Sequence, residues 1–540
     1  MISYRKLAMR VLGHPLRVPT NTPHPASRRM TVLALTAAMV AGLAAPAYAG
    51  EYFIDQGNIT ITKDDSGTYV KQGDDNSNDG RGAKDDTEIT INGGKSPTTG
   101  GSSGTGSSGG GSSEGGSSGT GTTSATSPAQ SKLTALTSEY GESKAIVHRG
   151  ATSSTGVTKT GGTPTTRSWT LAKSTERSSS VLTYTNANDD DETPNNSTQT
   201  VENVLESFQR TAENITNNVI RLINKCTGTG KDSTLNVTLE NVNIDVSKGN
   251  DAALSVEGAG NTTITLKGDN YLTSSGTHAG LEHNEERTGT TGKLTITSET
   301  DKNGNNTGSL TATGSGASAG IGSVWNSGNY SDSGAGDIEI TGGDITAIGA
   351  SDGAGIGSGS GATGETNITI SGTAKIIKAQ TKQNGAGIGS GANSSGTTTI
   401  NITGGTIETA QGGGGGAGIG SGFDTTGPTT VTITSGTIKN ATGGNLGDGI
   451  GGGGIKNGSE STNITVEIKG GHIEKAQGGK GDKYRNAGDG IHSDGGLTIS
   501  AGATIDSAIG GGCDSGFGNR NAGHGIYSKG DLTIETGTTI

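Results

Sequence analysis

The sequence predicts an all-β solenoid, a parallel β-helix carrying one inserted amphipathic helix and a disordered linker. Three observations carry this. The first is G-A-G-I-G-S-G, which occurs at Gly353–Gly359, Gly385–Gly391 and Gly416–Gly422, with related versions centred on Leu281, Ile321, Ile450, Ile491 and Ile526. The central residues 281, 321, 356, 388, 419, 450, 491 and 526 stand 31 to 41 residues apart, the period of a repeat array. The second is a unit between the anchors that alternates at period two and turns through Gly, as in I-E-I-T-G-G-D-I from Ile338, I-N-I-T-G-G-T-I from Ile400 and V-T-I-T-S-G-T-I from Val431. The third is composition. With 100 Gly in 540 residues, 28% hydrophobic and 3% aromatic residues, a large globular core is out of reach, but a thin stacked one is not.

The chain opens with six basic residues (Arg5, Lys6, Arg10, Arg17, Arg28, Arg29) and no acidic one before residue 50. An apolar run from Thr31 to Ala45 leads to Ala47-Tyr48-Ala49, an A-x-A site, so residues 1–49 are expected to be a secretory signal peptide cleaved after Ala49. The long basic segment also admits a start at Met30. The apolar run is shorter than the roughly 18 residues of a membrane span, and none is expected in the mature chain. Taking those six from 39 basic residues leaves 33 against 51 acidic, a net charge of −18. Such a surface repels phosphate backbones, so nucleic acid is not an expected partner.

Residues 50–94 read as the first rung or rungs, from the alternating E-Y-F-I-D-Q-G-N-I-T-I-T at Glu51 and T-E-I-T-I-N-G-G at Thr87. An insertion, 95–230, follows. Its Gly, Ser and Thr tract from Ser96 to Pro128 reads as a flexible linker, and residues 129–200 as a loosely ordered segment. Val201, Leu205, Phe208, Ala212, Ile215, Val219, Leu222 and Cys226 keep a 4-3-4-3 spacing, which predicts an amphipathic helix over 201–226, either docked on the solenoid or self-associating. Residues 231–540 carry the continuous repeats, starting at Leu235. Two inward columns are expected: Ile338, Ile368, Ile400, Val431, Ile464, Leu497 and Leu532 in one, and Ile321, Ile356, Ile388, Ile419, Ile450, Ile491 and Ile526 in the other. The repeats stop at Ile540 inside a strand, which reads as a truncated chain or a last rung covered by self-association. Cys226 and Cys513 stand at opposite ends of the array, too far apart for a disulfide, and are expected as free thiols unless the insertion folds back.

The stretch from L-N-V-T-L-E-N-V-N-I-D-V through I-T-L-K-G-D-N-Y-L-T-S-S-G-T-H-A-G-L-E to the A-G-I-G-S repeats resembles the carbohydrate-binding β-helix proteins of bacterial surfaces, a family with a polysaccharide-lyase-like fold. The resemblance covers residues 51–94 and 235–540, and departs from the family at the insertion. It implies a right-handed parallel β-helix, calcium ions, and binding of acidic or cellulosic polysaccharide without established catalysis, which fits a non-catalytic binder of plant or microbial polysaccharide; it does not place the calcium ligands.

One change along the array marks a candidate site. Two residues before the anchor stand Ala279, Ala319, Ala354, Ala386 and Ala417, and then Asp448, Asp489 and His524. One residue after it, Gly322, Gly357, Gly389 and Gly420 give way to His492 and Tyr527, with Asp494 close by. Rungs stack about 4.8 Å apart, so these side chains are expected side by side. Asp448 and Asp489 are the candidate Ca²⁺ ligands, and Asp448, Asp489, His492, Asp494, His524 and Tyr527 the candidate carbohydrate site. The alternative is that Asp before Gly only forms turns at a solvated corner. Two residues after the anchor, Ser323, Ser358, Ser390, Ser421, Ser493 and Ser528 form a hydroxyl column, expected to hydrogen-bond within the coil. Zinc-protease, paired-cysteine and Walker motifs do not occur. A polysaccharide lyase would need a base, for which Lys529 and Arg520 are the candidates. The function expected is a secreted or cell-surface glycan-binding protein that is not an enzyme. An adhesin-type solenoid contacting proteins or other cells is the alternative, and a lyase is third.

Overall fold

The computed structural model describes residues 50–75, 77–85, 88–94, 153–158, 165–173, 180–186, 215–228, 233–285, 291–326, 334–456, 463–482, 485–513 and 521–540. The expected signal peptide and the expected Gly/Ser linker lie outside the described residues. Apart from single turns at Ile54–Gln56 and Ser77–Gly80, every element among the described residues is a β-strand. Among the described residues no helix is long and apolar enough to cross a membrane.

The repeat sequence forms strands for the reason its pattern suggests. In T-T-V-T-I-T-S-G-T-I at Thr429–Ile438, Thr429, Val431 and Ile433 are buried and the residues between them are more exposed, so one face of a β-branched run is apolar. Such a face cannot be buried within its own repeat. It is buried because each strand bonds in parallel to its equivalent one repeat away: Thr398–Ile402 to Thr429–Ile433, and those to Ile464–Ile468. Ile376, Ile407, Ile438, Ile473 and Ile505 form a further in-register column. These strands belong to one sheet whose strand order closes on itself. The anchors lie in a second, thirteen-stranded sheet, where Leu281, Ile321, Ile356, Ile388, Ile419, Ile450, Ile491 and Ile526 pair in succession. All of these but Ile526 are 0% exposed, and the two sheets share one apolar core.

The other expected column needs one correction. Ile338, Ile368, Ile400 and Val431 do align, but Val431 faces Val466, and Ile464 faces Thr429. The serine column is a bonded ladder: the Oγ atoms of Ser323, Ser358, Ser390 and Ser421 accept from the N–H of Gly359, Gly391, Gly422 and Gly453 at 2.9 to 3.0 Å, each bond joining one repeat to the next.

The expected helix over 201–226 is corrected where it is described. Residues 201–214 lie outside the described residues, but Ile220–Asn224 is a strand. It bonds in parallel to Ile59–Lys63 on one side and to Leu254–Glu257 on the other. Its Ile220, Leu222 and Asn224 are buried at period two, so two flanking parallel strands override the 4-3 spacing. Ile89–Asn92 likewise bonds to Val237–Glu240. Strand pairing in the repeat unit thus begins before Leu235 and runs across the insertion.

The loosely ordered reading of 129–200 is also corrected in part. Ser153–Thr158, Thr165–Lys173 and Ser180–Asn186 form a three-stranded antiparallel sheet. Threonine, valine and aromatic residues in these runs favour strands even though their apolar positions show no sustained period. Cys226 and Cys513 are both free, as expected.

Candidate functional site

From Ile321 to Ile419 only alanine stands two residues before each anchor and only glycine one after it, and beyond Ile419 both columns change. From Ala319 to Ala417 each alanine is 0% exposed, and its carbonyl accepts the N–H of the glycine one repeat back. Asp448, Asp489 and His524 continue the same ladder: Gly418 donates to the Asp448 carbonyl, Gly449 to Asp489 and Gly490 to His524. The backbone is unchanged, so carboxylates and an imidazole stand in positions otherwise occupied by methyl groups. The neighbouring column changes with it. Gly451 has φ +149°, and a Cβ there would lie 2.7 Å from Asp448 Oδ2. One repeat on, Ile491–Ser493 is a three-residue strand in which His492 pairs with Tyr527.

His492 sits at the centre, 5% exposed. Its Nδ1 lies 3.0 Å from Asp489 Oδ2 and 3.5 Å from Asp448 Oδ2. On the other side Nε2 faces Asp494 Oδ1 at 3.6 Å, too long for a hydrogen bond, and both atoms are buried without a hydrogen-bond partner. The carboxylates are held by the backbone. Asp448 accepts from the N–H of Gly452 and of Asp489, each at 2.7 Å. Asp489 Oδ1 accepts from the His524 N–H at 2.5 Å and lies 3.1 Å from His524 Nδ1. Asp494 Oδ2 accepts from the Ile464 N–H at 2.9 Å.

Burial and mutual charge separate these groups. Loss of water pushes the Asp448 carboxyl up to about 7, with the His492 charge opposing and Asp489 adding to the rise. For His492 burial works against the charged ring, but the Asp489 hydrogen bond and the carboxylates around it prevail and push it up to about 11. Burial likewise opposes ionisation of Asp489 and Asp494. In both it is outweighed, by His492 together with the His524 N–H for Asp489 and the Ile464 N–H for Asp494, and both carboxyls lie below the ordinary range. The cluster is therefore an imidazolium among carboxylates.

Asp448, Asp489, His492, His524 and Tyr527 line a cleft of about 230 Å³, together with Arg485, Asn486 and Asn521. The Tyr527 ring stacks on His524 with centroids 5.0 Å apart and planes 24° apart, and lies 5.1 Å from the His492 ring. Five of the six expected residues thus meet at the cleft; Asp494 lies behind His492. Arg485, clamped to Asp482 and set over the Phe423 ring, was not anticipated, nor were Asn486 and Asn521. They sit in loops of variable length, where the anchor column gives no alignment. Of the two lyase candidates, Lys529 does not line the cleft, and Arg520 lies outside the described residues. The calcium pair, Asp448 and Asp489, does converge, but on an imidazole nitrogen, a donor that the oxygen shell of Ca²⁺ does not favour. No family model, curated protein or solved structure matches the chain.

Proposed function

We propose that this chain is an exported, non-catalytic carbohydrate-binding protein built as a right-handed parallel β-helix, and that the cleft beside Asp448, Asp489 and His492 receives a glycan. The solenoid reading is supported by parallel bonding between strands one repeat apart throughout the array. The observation that carries the functional reading is the cleft wall itself. The stacked His524 and Tyr527 rings supply a flat apolar face, while Arg485, Asn486 and Asn521 supply donors and acceptors around it. Sugars need both at once, because their C–H faces pack on aromatic rings while their hydroxyls must replace lost water.

The same groups are poorly disposed for catalysis. Asp448 has both oxygens bonded to backbone N–H groups, and Asp489 shares His492 with it on one wall, so the two carboxylates do not flank a substrate as a glycosidase pair must. The mature charge of −18 favours neutral glycans over polyanionic ones.

Retention of the full chain on insoluble cellulose and on pectin, followed by a glycan array, tests this. Retention on a neutral polysaccharide that falls at least tenfold in Tyr527→Ala and Arg485→Ala is the expected result. Retention that ignores both substitutions, or none on any glycan, overturns it; a blank array with binding to cell-surface protein would favour an adhesin. Release of an unsaturated uronate chromophore would establish a lyase.

A further inference from the structure

Three carboxylates, from Asp448, Asp489 and Asp494, converge on the single imidazole of His492. Carboxyl groups here outnumber the one imidazole they share. The other basic groups nearby are His524, whose Nδ1 lies 3.1 Å from Asp489 Oδ1, the exposed Lys529, whose charge favours the ionised form of Asp494, and Arg485, which is clamped to Asp482. A buried excess of like charge is costly, and structures meet that cost with protons or with a metal ion.

The donor atoms are placed to accept a metal ion. Asp448, Asp489 and His492 each offer one ligand atom, all within 4.8 Å of one another, and His492 Nδ1 lies 3.0 and 3.5 Å from the two carboxylate oxygens. Ligands of a tetrahedral ion with bonds of about 2.0–2.1 Å stand about 3.4 Å apart, so small side-chain rotations complete the set. A second observation concerns the far side of the His492 ring and a residue outside that set. His492 Nε2 and Asp494 Oδ1 are buried and face each other at 3.6 Å, and neither has a hydrogen-bond partner. A metal-bound histidine has a specific need for such an arrangement, since its other ring nitrogen donates to a carboxylate that fixes the tautomer.

We propose that Asp448 Oδ2, Asp489 Oδ2 and His492 Nδ1 bind one zinc-class divalent cation, with Asp494 accepting the Nε2–H of His492 and the remaining coordination position open to the cleft. As the ion enters, the Nδ1 proton leaves to solvent, and the ring binds as neutral imidazole. The mixed nitrogen and oxygen set selects zinc, cobalt or nickel over calcium and magnesium, which prefer oxygen alone. Gly451 is part of the design, because a side chain there would collide with Asp448 Oδ2 and with His492. This inference stands on donor geometry and not on the glycan reading, and metal uptake and glycan retention are measured separately.

Cobalt is the probe. Titrating the metal-free full chain with CoCl₂ is expected to give visible absorption bands of tetrahedral intensity that saturate at one equivalent, and ZnCl₂ but not an equal concentration of CaCl₂ should abolish them. His492→Ala, Asp448→Asn and Asp489→Asn should each weaken uptake at least tenfold. Asp494→Asn should weaken it about 10- to 100-fold through the lost support to His492. His278→Ala, at a part-buried His–carboxylate pair beside the anchor Leu281, should leave it unchanged. Because substitutions this deep can unfold the chain, the wild type also carries a direct readout: in a ¹⁵N-histidine-labelled sample, ZnCl₂ should shift the Nδ1 resonance of one histidine. Absence of cobalt bands, absence of that shift, or uptake indifferent to the cluster substitutions overturns the proposal.

Discussion

At Gly389 the backbone has φ +137°, and a Cβ would lie 1.8 Å from the carbonyl oxygen of Gly420 in the next repeat. Neither strain nor contact can relax without parting two repeats, so Gly389→Ala is expected to destabilise the chain by about 4 kcal/mol or more. Gly512, whose Cβ would meet nothing within 4 Å, is the control, and Gly512→Ala should stay within about 0.5 kcal/mol in the same denaturant titration. His278 supplies a test of charge away from the cleft. Its Nδ1 lies 2.7 Å from Glu282 Oε2, and that hydrogen bond, working against burial, raises the imidazole above its usual value. A raised folded-state value means stability that is full below about pH 6.5 and is lost as pH climbs through the folded-state value. Thermal midpoints should therefore fall over that window, and Glu282→Gln should flatten the fall. At this scale the cleft was half legible. Asp448, Asp489, His492, His524 and Tyr527 stand out because each interrupts a column of Ala or Gly. Arg485, Asn486 and Asn521 do not, since nothing in a loop of changing length says which residue it will stand beside.

Strands here are short and depend on their neighbours one repeat away. Ile388 is 0% exposed between Ile356 and Ile419, so Ile388→Ala should cost about 2–5 kcal/mol by equilibrium unfolding. Ser358→Ala should cost about 1–3 kcal/mol, because it strands the buried Gly391 N–H that Ser358 accepts at 3.0 Å; a change under about 0.5 kcal/mol would remove the hydroxyl ladder as a structural device. Two misreadings also belong to this scale. Ile464, Val466 and Ile468 alternate alike, so any of them could continue the column through Val431, and only hydrogen-bonded register selects Val466. Ile220–Asn224 satisfies a helical spacing and a strand alternation at once, and the parallel strands on both sides of it decide between them.

For the whole molecule, the bonding of Ile59–Lys63 to Ile220–Asn224 and of Ile89–Asn92 to Val237–Glu240 means that the array closes over the insertion. Replacing residues 96–213 with about fifteen Gly and Ser residues shortens the connection and leaves both of these strand pairings in place. The shortened chain should keep its β-sheet circular dichroism and melt no lower than the parent. A drop of several degrees would show that the insertion itself supports the array.

Period, strand type and anchor column were determined by the sequence alone, because a repeat that buries one face only against its copies must write that face at a fixed spacing. The switch from Ala to Asp448, Asp489 and His524 was readable for the same reason. Tertiary structure alone decided the rest: which of several equivalent apolar residues pair, that 220–224 is strand, and that Asp494 stands behind His492. Those outcomes depend on contacts between segments far apart in the chain, and alternation within one segment carries no record of its partner.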